Sequence, residues 1–193
     1  LMHEYGTPEQ QANYLEGMIT GKHRIAFGLT EPNHGSDATW METRAKRDGK
    51  QWVINGAKRF NTGLHNATVD LVFARTSGKD GDGGGVTAFL VPTDTPGFKV
   101  EFMWWTFNMP SDHAEVSLTD VRVPETAVLG KVDHGLDLAQ HFVHENRIRQ
   151  AASSLGAAQD GIDEAGDYAR RRKTWGKALA SNQGIQFPLA ELH

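Results

Sequence analysis

The run from Phe27 to Asp37, FGLTEPNHGSD, has the residue types and spacing of a ligand-binding turn. It begins as a strand end, and its proline and glycine then favour a turn that exposes consecutive backbone N–H groups. The hydroxyls of Thr30 and Ser36 stand on either side of that turn, which suits a phosphate or the polar edge of a ring. The alternative is a plain strand-exit turn in which Ser36 and Asp37 cap the local backbone.

Two further segments carry candidate binding groups. The run Asn55–Thr62, NGAKRFNT, ends a predicted strand with an aromatic ring at Phe60 and a hydroxyl at Thr62. The basic run Arg170–Lys173 ends a predicted helix, where the helix dipole stabilises cations. On residue types alone, Phe60 could equally be a core residue, and the basic run could be a solvated cluster.

Four segments, in this order, resemble the acyl-CoA dehydrogenase family. They are Phe27–Ser36, Asn55–Thr62, Val121–Pro124, and Arg172–Gly176 followed by Asn182 and Gln183. Several motifs in the right order are far more specific than one. The resemblance implies an FAD-dependent enzyme that introduces a double bond between Cα and Cβ of an acyl-CoA thioester, with hydride transfer to flavin N5.

The resemblance also implies a set of FAD-binding residues. They are Phe27, Leu29, Thr30, Gly35, Ser36, Phe60, Asn61, Thr62, Arg172, Thr174, Trp175, Asn182 and Gln183. Family members place Thr30 near the polar edge of the isoalloxazine and Ser36 near the pyrophosphate and the bound thioester. Phe60, where the family usually has Trp, would cover the flavin face and exclude water. Thr62 would lie within hydrogen-bond reach of N5.

The residues from Arg172 onward are implied to act between subunits. In the family, the matching Arg, Thr and aromatic residue reach the flavin of the other subunit, which implicates Arg172, Thr174, Trp175 and Gln183. Guanidinium is a natural partner for a pyrophosphate. The resemblance therefore implies a homodimer or homotetramer.

Substrate binding is implied for Ser36, His144 and Arg147, the last matching an Arg near the acyl-CoA site. The family's usual base is a Glu in the C-terminal helical region, and some members carry it immediately before this Arg, where this chain has Asn146. Glu145 points about 100° away on the helix and is the internal substitute. We therefore expect the catalytic base to lie outside the chain and the 193 residues alone to be inactive.

Other clusters carry less chemistry. His141, His144 and Glu145 have helical spacing that could hold a metal, but no further ligand is identifiable, and we predict no metal site. The aromatic residues between 102 and 107 could form a platform for a base or an acyl chain, although a core or interface is the simpler interpretation. They are Phe102, Trp104, Trp105 and Phe107.

Composition limits the function classes. The 193 residues carry 20 Lys and Arg against 24 Asp and Glu, so a net charge of -4 offers no bulk attraction to nucleic acid. There is no cysteine, which excludes disulfides, thiolate catalysis and iron–sulfur clusters. The longest apolar runs have strand length, which predicts no membrane span. The chain opens at Leu1 and stops within a helical pattern, and we expect a fragment.

The element pattern predicts an α+β fold with an all-β middle domain, a sandwich or flattened barrel, between helical segments. A capping box at Thr7 begins the first helix. Eight predicted strands follow: 24–29, 43–47, 51–58, 69–75, 86–91, 98–102, 114–118 and 121–123. A long helix begins near Gly135, and Ser181 is the predicted N-cap of the next. We expect residues 1–23 to end an N-terminal helical domain, 24–128 to form the middle domain, and 129–193 to begin a truncated C-terminal helical domain.

The resemblance thus predicts an acyl-CoA dehydrogenase of fatty acid β-oxidation that binds FAD and an acyl-CoA thioester. It would pass electrons to an acceptor such as an electron-transfer flavoprotein. A soluble intracellular protein of the cytoplasm, mitochondrion or peroxisome is expected. Two alternatives stay open: a related flavin monooxygenase or nitroalkane oxidase, and a non-catalytic binding module of the same fold.

Overall fold

The computed structural model describes residues 1–106 and 109–192. Its helices are α1 (Met2–Tyr5), α2 (Pro8–Thr20), α3 (Gly135–Arg171) and α4 (Gln183–Leu192). Its strands are β1 (Ile25–Gly28), β2 (Arg44–Asp48), β3 (Gln51–Thr62), β4 (Val69–Arg75), β5 (Val86–Pro92), β6 (Phe98–Thr106), β7 (Met109–Pro124), β8 (Val128–Leu129), β9 (Lys173–Thr174) and β10 (Lys177–Ala178). The predicted α+β class with a β-rich middle domain is confirmed.

The chain forms two compact units, residues 1–142 and 143–193. In the first unit, the described strands form one eight-stranded sheet, in which seven strands follow the order β6-β7-β3-β2-β4-β5-β8 and β1 lies off this path. Strand β1 pairs with β4 in parallel, whereas β2 meets β4 only at Arg44 and Arg75. Strand β1 therefore lies beside β4 and close to the end of β3, where the candidate site forms.

The central strand β4 is buried on both faces, which explains its continuous apolar sequence. One face, with Val72 and Ala74, joins a core that includes Trp52 and Phe89, whose rings contact edge to face at 5.5 Å. The opposite face packs with residues of α1 and of the start of α3. Strand β4 is thus buried on both faces, and β1 is fixed to it by backbone pairing.

Helix α2 begins as its sequence predicts. Thr7 and Gln10 form a reciprocal capping box, and Gly21 ends the helix with a left-handed φ of 77°. The amide of Gln10 also donates to the carbonyl oxygens of Thr126 and Val128, at 2.9 Å each. Helix α2 is thereby attached to the segment that follows β7.

The prediction of separate strands at 114–118 and 121–123 is wrong, because both belong to β7. Between them the β3–β7 ladder is interrupted, and Asp120 has a φ of 50°. The Asn55 side chain contacts this position twice, accepting from the Asp120 backbone N–H at 2.8 Å and donating to its carboxylate at 3.1 Å. These two hydrogen bonds join β3 and β7 where the ladder is interrupted, so β7 continues as one strand.

No helix in the described part of the chain is long and apolar enough to cross a membrane.

Candidate functional site

The turn after β1 is fixed to β3 through the backbone. The N–H of Arg59 donates to the Thr30 carbonyl at 2.8 Å, and Glu31 and His34 close the turn with two reciprocal backbone bonds of 3.0 and 3.3 Å. Thr30 is half-buried, whereas Gly35 and Ser36 are exposed. The predicted turn therefore presents its polar residues at the surface beside the end of β3.

A buried ion pair anchors this turn. Lys58 Nζ donates to the Glu31 carboxylate at 2.8 Å and to the Leu29 carbonyl at 3.2 Å. The Glu31 carboxylate also accepts from the backbone N–H groups of Glu42 and Thr43, at 2.6 and 3.0 Å. Because both charges are buried and mutually satisfied, the backbone at Leu29 has little freedom to move.

The pKa values of this pair have opposing causes. Burial raises the pKa of Glu31, but the Lys58 ammonium and hydrogen bonds from Lys58, Thr43 and Glu42 outweigh it and hold the pKa below its ordinary value. Burial lowers the pKa of Lys58 against the attraction of Glu31. The geometry, with Lys58 donating to two oxygens, is that of a charged pair.

A second buried pair, Asn61 and Asp70, lies beside the first. The Asn61 amide donates to Asp70 Oδ2, while the Oδ1 atoms of both residues are buried without a hydrogen-bond partner among the described groups. Burial raises the pKa of Asp70 to about 7, against the hydrogen bond from Asn61 and the attraction of Lys58. A Cβ at Gly28 would lie 2.9 Å from both side chains, so glycine is required there.

Phe60 is the extra residue of a β-bulge. In the β3–β7 ladder Arg59 pairs with Glu115 and Asn61 with Ala114, which leaves Phe60 without a partner. Its φ is 62°, an unfavourable conformation for an aromatic residue, and its side chain is 44% exposed. Strain of this kind concentrates at functional sites, and here it exposes a flat apolar ring.

Trp104 packs against the Phe60 ring and is itself fixed by two charged neighbours. Trp104 contacts Phe60 edge to face at 5.8 Å and donates its indole N–H to Glu115 at 3.1 Å. Arg59 binds Glu115 through two nitrogens, at 3.0 and 3.2 Å, and lies 4.9 Å from the centre of a Trp104 ring. The Phe60 ring, called the aromatic wall below, is therefore supported by Trp104 on β6, which is held by the Arg59–Glu115 ion pair between β3 and β7.

Thr62 is exposed two residues beyond Phe60. Its hydroxyl lies 2.9 Å from His113 Nδ1 on β7 and 3.4 Å from the Phe60 carbonyl. The Asn61 side chain between them is buried, so any contact it makes with a surface ligand must come from its backbone. Phe27, by contrast, is half-buried and stacks on Phe142 at 4.5 Å.

In the second unit, the predicted residues near 175 form a tight hairpin. Strands β9 and β10 are joined by Trp175 and Gly176, whose φ values of 51° and 79° are typical of a type I′ turn. Trp175 is 99% exposed at the tip of the hairpin, Thr174 is half-buried, and Arg172 is exposed just before it. The turn projects a large aromatic side chain into solvent.

Asn182 caps α4, and the prediction that Ser181 does so is wrong. The Gly184 N–H donates to the Asn182 side chain at 2.8 Å, whereas the Ser181 hydroxyl donates to the Ala178 carbonyl at 2.7 Å. Ser181 is used to close the preceding 3₁₀ turn, so the cap moves one residue on. Gln183 is the exposed first residue of α4.

The predicted substrate residues His144 and Arg147, with Glu145, lie exposed on α3 in the second unit. His141, in the first unit, lies 3.2 Å from both the Tyr5 hydroxyl and the Glu4 carboxylate. Within residues 1–106 and 109–192, no three potential metal ligands come together.

The aromatic platform is only partly a core. Phe102 and Trp105 are exposed, Trp104 is half-buried, and Phe107 lies outside the described residues. Sequence patterns did not identify His113, Glu115 or Asp70. The only signal for the buried charges was the position of Lys58, which the strand alternation directs inward.

Comparison with known proteins identifies the family of the chain. The family model for the acyl-CoA dehydrogenase middle domain matches residues 26–121, and the model for the C-terminal domain of the same family matches residues 133–193. A probable acyl-CoA dehydrogenase of Bacillus subtilis is 38% identical over an alignment of 193 positions, which covers 99% of this chain and 50% of that protein.

Solved structures give the same result. A probable acyl-CoA dehydrogenase from Mycobacterium abscessus matches with a TM-score of 0.92 at 32% identity, covering 99% of this chain and 50% of that one. A glutaryl-CoA dehydrogenase from Mycobacterium smegmatis, in complex with FADH2, matches with a TM-score of 0.87 at 34% identity. The match covers 98% of this chain and 48% of that one. The chain spans about half the length of the curated relatives that it matches.

Proposed function

Since the chain belongs to the acyl-CoA dehydrogenase family, we propose that it supplies the FAD-binding part of an enzyme that forms the Cα–Cβ double bond of an acyl-CoA thioester. The observation that carries this proposal is the exposed wall at the end of β3. There a strained, bulged Phe60 and the Thr62 hydroxyl lie beside the surface turn of Thr30 and Ser36.

The residues present fit FAD. An isoalloxazine ring needs a flat apolar wall with hydrogen-bonding groups at its edge, which Phe60, Thr30 and Thr62 provide. Ser36, and Arg172 of the partner subunit, would bind the pyrophosphate, with the partner's Trp175 beside them. When bound, FAD supplies the acceptor for the hydride that leaves Cβ.

This chain's own residues would orient the ring and exclude water from it. The buried Glu31–Lys58 pair fixes the position of Thr30, and the cluster of Arg59, Trp104 and Glu115 fixes Phe60. Preorganised groups of this kind cost no rearrangement when the ligand binds.

We further propose that the carboxylate that removes the Cα proton comes from outside these 193 residues. Glu145 is the internal alternative, on α3 next to Asn146. Ser36, His144 and Arg147 would contact the acyl-CoA. An electron-transfer flavoprotein as acceptor, and a homodimer or homotetramer, are parts of the same proposal.

The experiment that tests the proposal is anaerobic mixing of the FAD-supplemented chain with saturated acyl-CoAs, compared with the full-length protein. The full-length protein should bleach its oxidised flavin, and residues 1–193 should not, because base catalysis alone contributes about 10²- to 10⁴-fold. Bleaching by the 193 residues that disappears in Glu145→Gln would instead make Glu145 the base.

The alternatives predict other outcomes. A non-catalytic module would bind no FAD, and a flavin monooxygenase or nitroalkane oxidase would leave the flavin oxidised with every acyl-CoA. Family models and solved neighbours favour neither alternative.

A further inference from the structure

Trp40 is an exposed aromatic residue beside the candidate site, and none of the roles above uses it. It ends the 3₁₀ turn Ala38–Trp40, four residues after Ser36, and it is 51% exposed. Four residues span at most about 14 Å of chain. The indole ring is therefore close to the surface turn in which Gly35 and Ser36 are exposed.

The loop of residues 77–85 packs against this ring. A Cβ added to Gly81 would lie 3.5 Å from both Nε1 and Cε2 of the Trp40 indole. The Gly81 backbone N–H donates to the Thr39 carbonyl at 3.0 Å, and its φ of 90° favours glycine. The loop thus supports the ring on this side, and about half of Trp40 stays open to solvent.

Arg75, the last residue of β4, fixes the loop in this position. Its side chain is buried and donates to the carbonyl oxygens of Asp82 and Gly84, at 3.1 and 3.0 Å, and to that of Thr39. One guanidinium therefore joins the loop to the residue that precedes Trp40. An aromatic ring held in this way loses little conformational freedom when a ligand stacks on it.

The nearby carboxylates already have partners, which disfavours a cation as the ligand. Asp37 accepts from the Thr39 backbone N–H at 3.0 Å and from the Thr39 hydroxyl. In the loop, Asp80 pairs with Arg44. A neutral planar ring needs no free charge beside it, because it stacks on the face of an aromatic side chain.

We propose that Trp40 binds the adenine ring of a nucleotide by stacking, while a phosphate of the same nucleotide lies at the Ser36 turn. A nucleotide joins a planar base to a phosphate through one ribose, which suits a ring and a phosphate turn four residues apart. The inference rests on the proposed function, whose ligands FAD and acyl-CoA both contain adenine. The experiment distinguishes these two sources.

Ligand pairs with and without the adenine nucleotide test the stacking. By titration calorimetry of the full-length protein, CoA is compared with 4′-phosphopantetheine and, in the apoprotein, FAD with FMN. Trp40→Leu should weaken the binding of CoA or of FAD about tenfold, within the range for stacking of one base on an aromatic side chain. The member of that pair without adenine should bind the variant and the unmodified protein equally.

The molecule whose affinity falls is the source of the adenine ring. Unchanged affinities for both CoA and FAD would overturn the inference. Equal weakening of both members of a pair would also overturn it, because a structural disturbance of the turn would act on the shared part of the two ligands.

Matched variants separate stacking from apolar contact. Trp40→Phe keeps an aromatic face and should retain most of the affinity that Trp40→Leu loses. Equal losses in both variants would refute stacking. Trp105→Leu, which removes a tryptophan that is 65% exposed on β6, is the control and should change neither affinity. If Trp40→Leu does not fold, Trp40→Gln replaces it, because Gln also lacks an aromatic face.

Two outcomes separate the inference from the proposed function. Binding of neither CoA nor FAD by the unmodified protein would contradict both. Binding of these ligands without any dependence on Trp40 would contradict the inference alone.

Discussion

Asp70 links the site to the stability of the fold. Its carboxylate and the side-chain amide of Asn61 are enclosed at the junction of β1, β3 and β4, and the Oδ1 atoms of both residues lack a partner among the described groups. A proton on Asp70 would turn one of these acceptors into a donor. This agrees with the pKa of Asp70, which burial raises to about 7.

We expect Asp70→Asn to flatten the pH dependence of stability. The folded protein keeps a proton on Asp70 that the unfolded chain releases above about pH 4. Stability from this group is therefore complete at low pH and is lost as pH rises toward 7, at no more than about 1.4 kcal/mol per pH unit. Urea unfolding at pH 5 and pH 8 should show a smaller difference in Asp70→Asn, and an unchanged difference would show that Asp70 is ionised throughout.

Arg172→Ala should lower FAD retention more than Arg170→Ala. Arg170 already pairs with Asp167 on the helix surface, whereas Arg172 precedes the hairpin and occupies the position implied to contact the pyrophosphate. Flavin content after dialysis measures the difference, which should shrink in a protein forced to be monomeric. Equal loss in both variants would remove Arg172 from the site.

Individual site residues were predictable from sequence only where a local motif carries them. Thr30, Phe60 and Thr62 were singled out in this way; Thr30 lies in the turn after β1, and Phe60 and Thr62 lie at the end of β3. His113 was not, because its contact with Thr62 depends on strand register across 51 residues. Local patterns do not encode which side chains face each other over such a distance.

At the scale of elements, the β9–β10 hairpin holds Trp175 in a left-handed backbone conformation and exposes its side chain to solvent. Type I′ turns favour Asn and Gly at their central positions, because both require positive φ. Trp175 occupies one of them and buries nothing within the chain. A residue with this cost and no local benefit indicates a role in binding.

We expect Trp175→Asn to stabilise the protein and weaken FAD binding. Relief of the left-handed conformation is worth about 1 kcal/mol, which thermal unfolding of the apoprotein would detect. FAD titration would measure the loss of affinity. Lys177→Ala, on the adjacent strand, should change neither quantity. Retained FAD affinity in Trp175→Asn would argue that the tryptophan serves another surface.

Strands and helices were largely predictable, because apolar periodicity and turn residues determine them locally. The strand Val69–Arg75 has the predicted bounds, and α3 begins at the predicted Gly135. The break predicted near Asp120 was wrong because a contact with Asn55 bridges it. That contact joins residues 65 positions apart, and no local pattern records it.

At the scale of the whole molecule, α3 carries an uncovered apolar stripe. Ile148 and Leu155 follow helical spacing with Ala151, Ala158 and Ile162, and Leu155 is 72% exposed. Apolar stripes of this length rarely stay in contact with water. Apolar periodicity in the sequence marks such a stripe, but it does not show what covers it.

Residues 1–193 should therefore self-associate, and Leu155→Glu should reduce this. A charge on the stripe penalises its burial, whereas Ser153→Glu, about 160° away around the helix, adds the same charge elsewhere. Sedimentation velocity at several concentrations measures the change. Equal behaviour of the two variants would place the associating surface outside α3.

Because Phe60 is the unpaired residue of a bulge, it could be deleted from the chain without disturbing the pairing of β3 with β7, which is not true of its neighbours. Its flanking residues pair with Glu115 and Ala114, which are consecutive on β7, so a chain lacking residue 60 keeps every other partner. Deleting a residue within a strand ordinarily inverts all the side chains that follow. Deleting Phe60 would restore regular alternation, with Lys58 and Asn61 still inward and Thr62 outward.

We therefore expect deletion of Phe60 to preserve the circular dichroism spectrum and melting temperature while abolishing FAD retention. Deletion of Ala57, which is paired with Ser117 in the regular ladder, should instead unfold the sheet. If both deletions unfold the protein, the bulge is a structural requirement of the strand. The expected result would make the aromatic wall an insertion, gained or lost in a single step, in a strand that is complete without it.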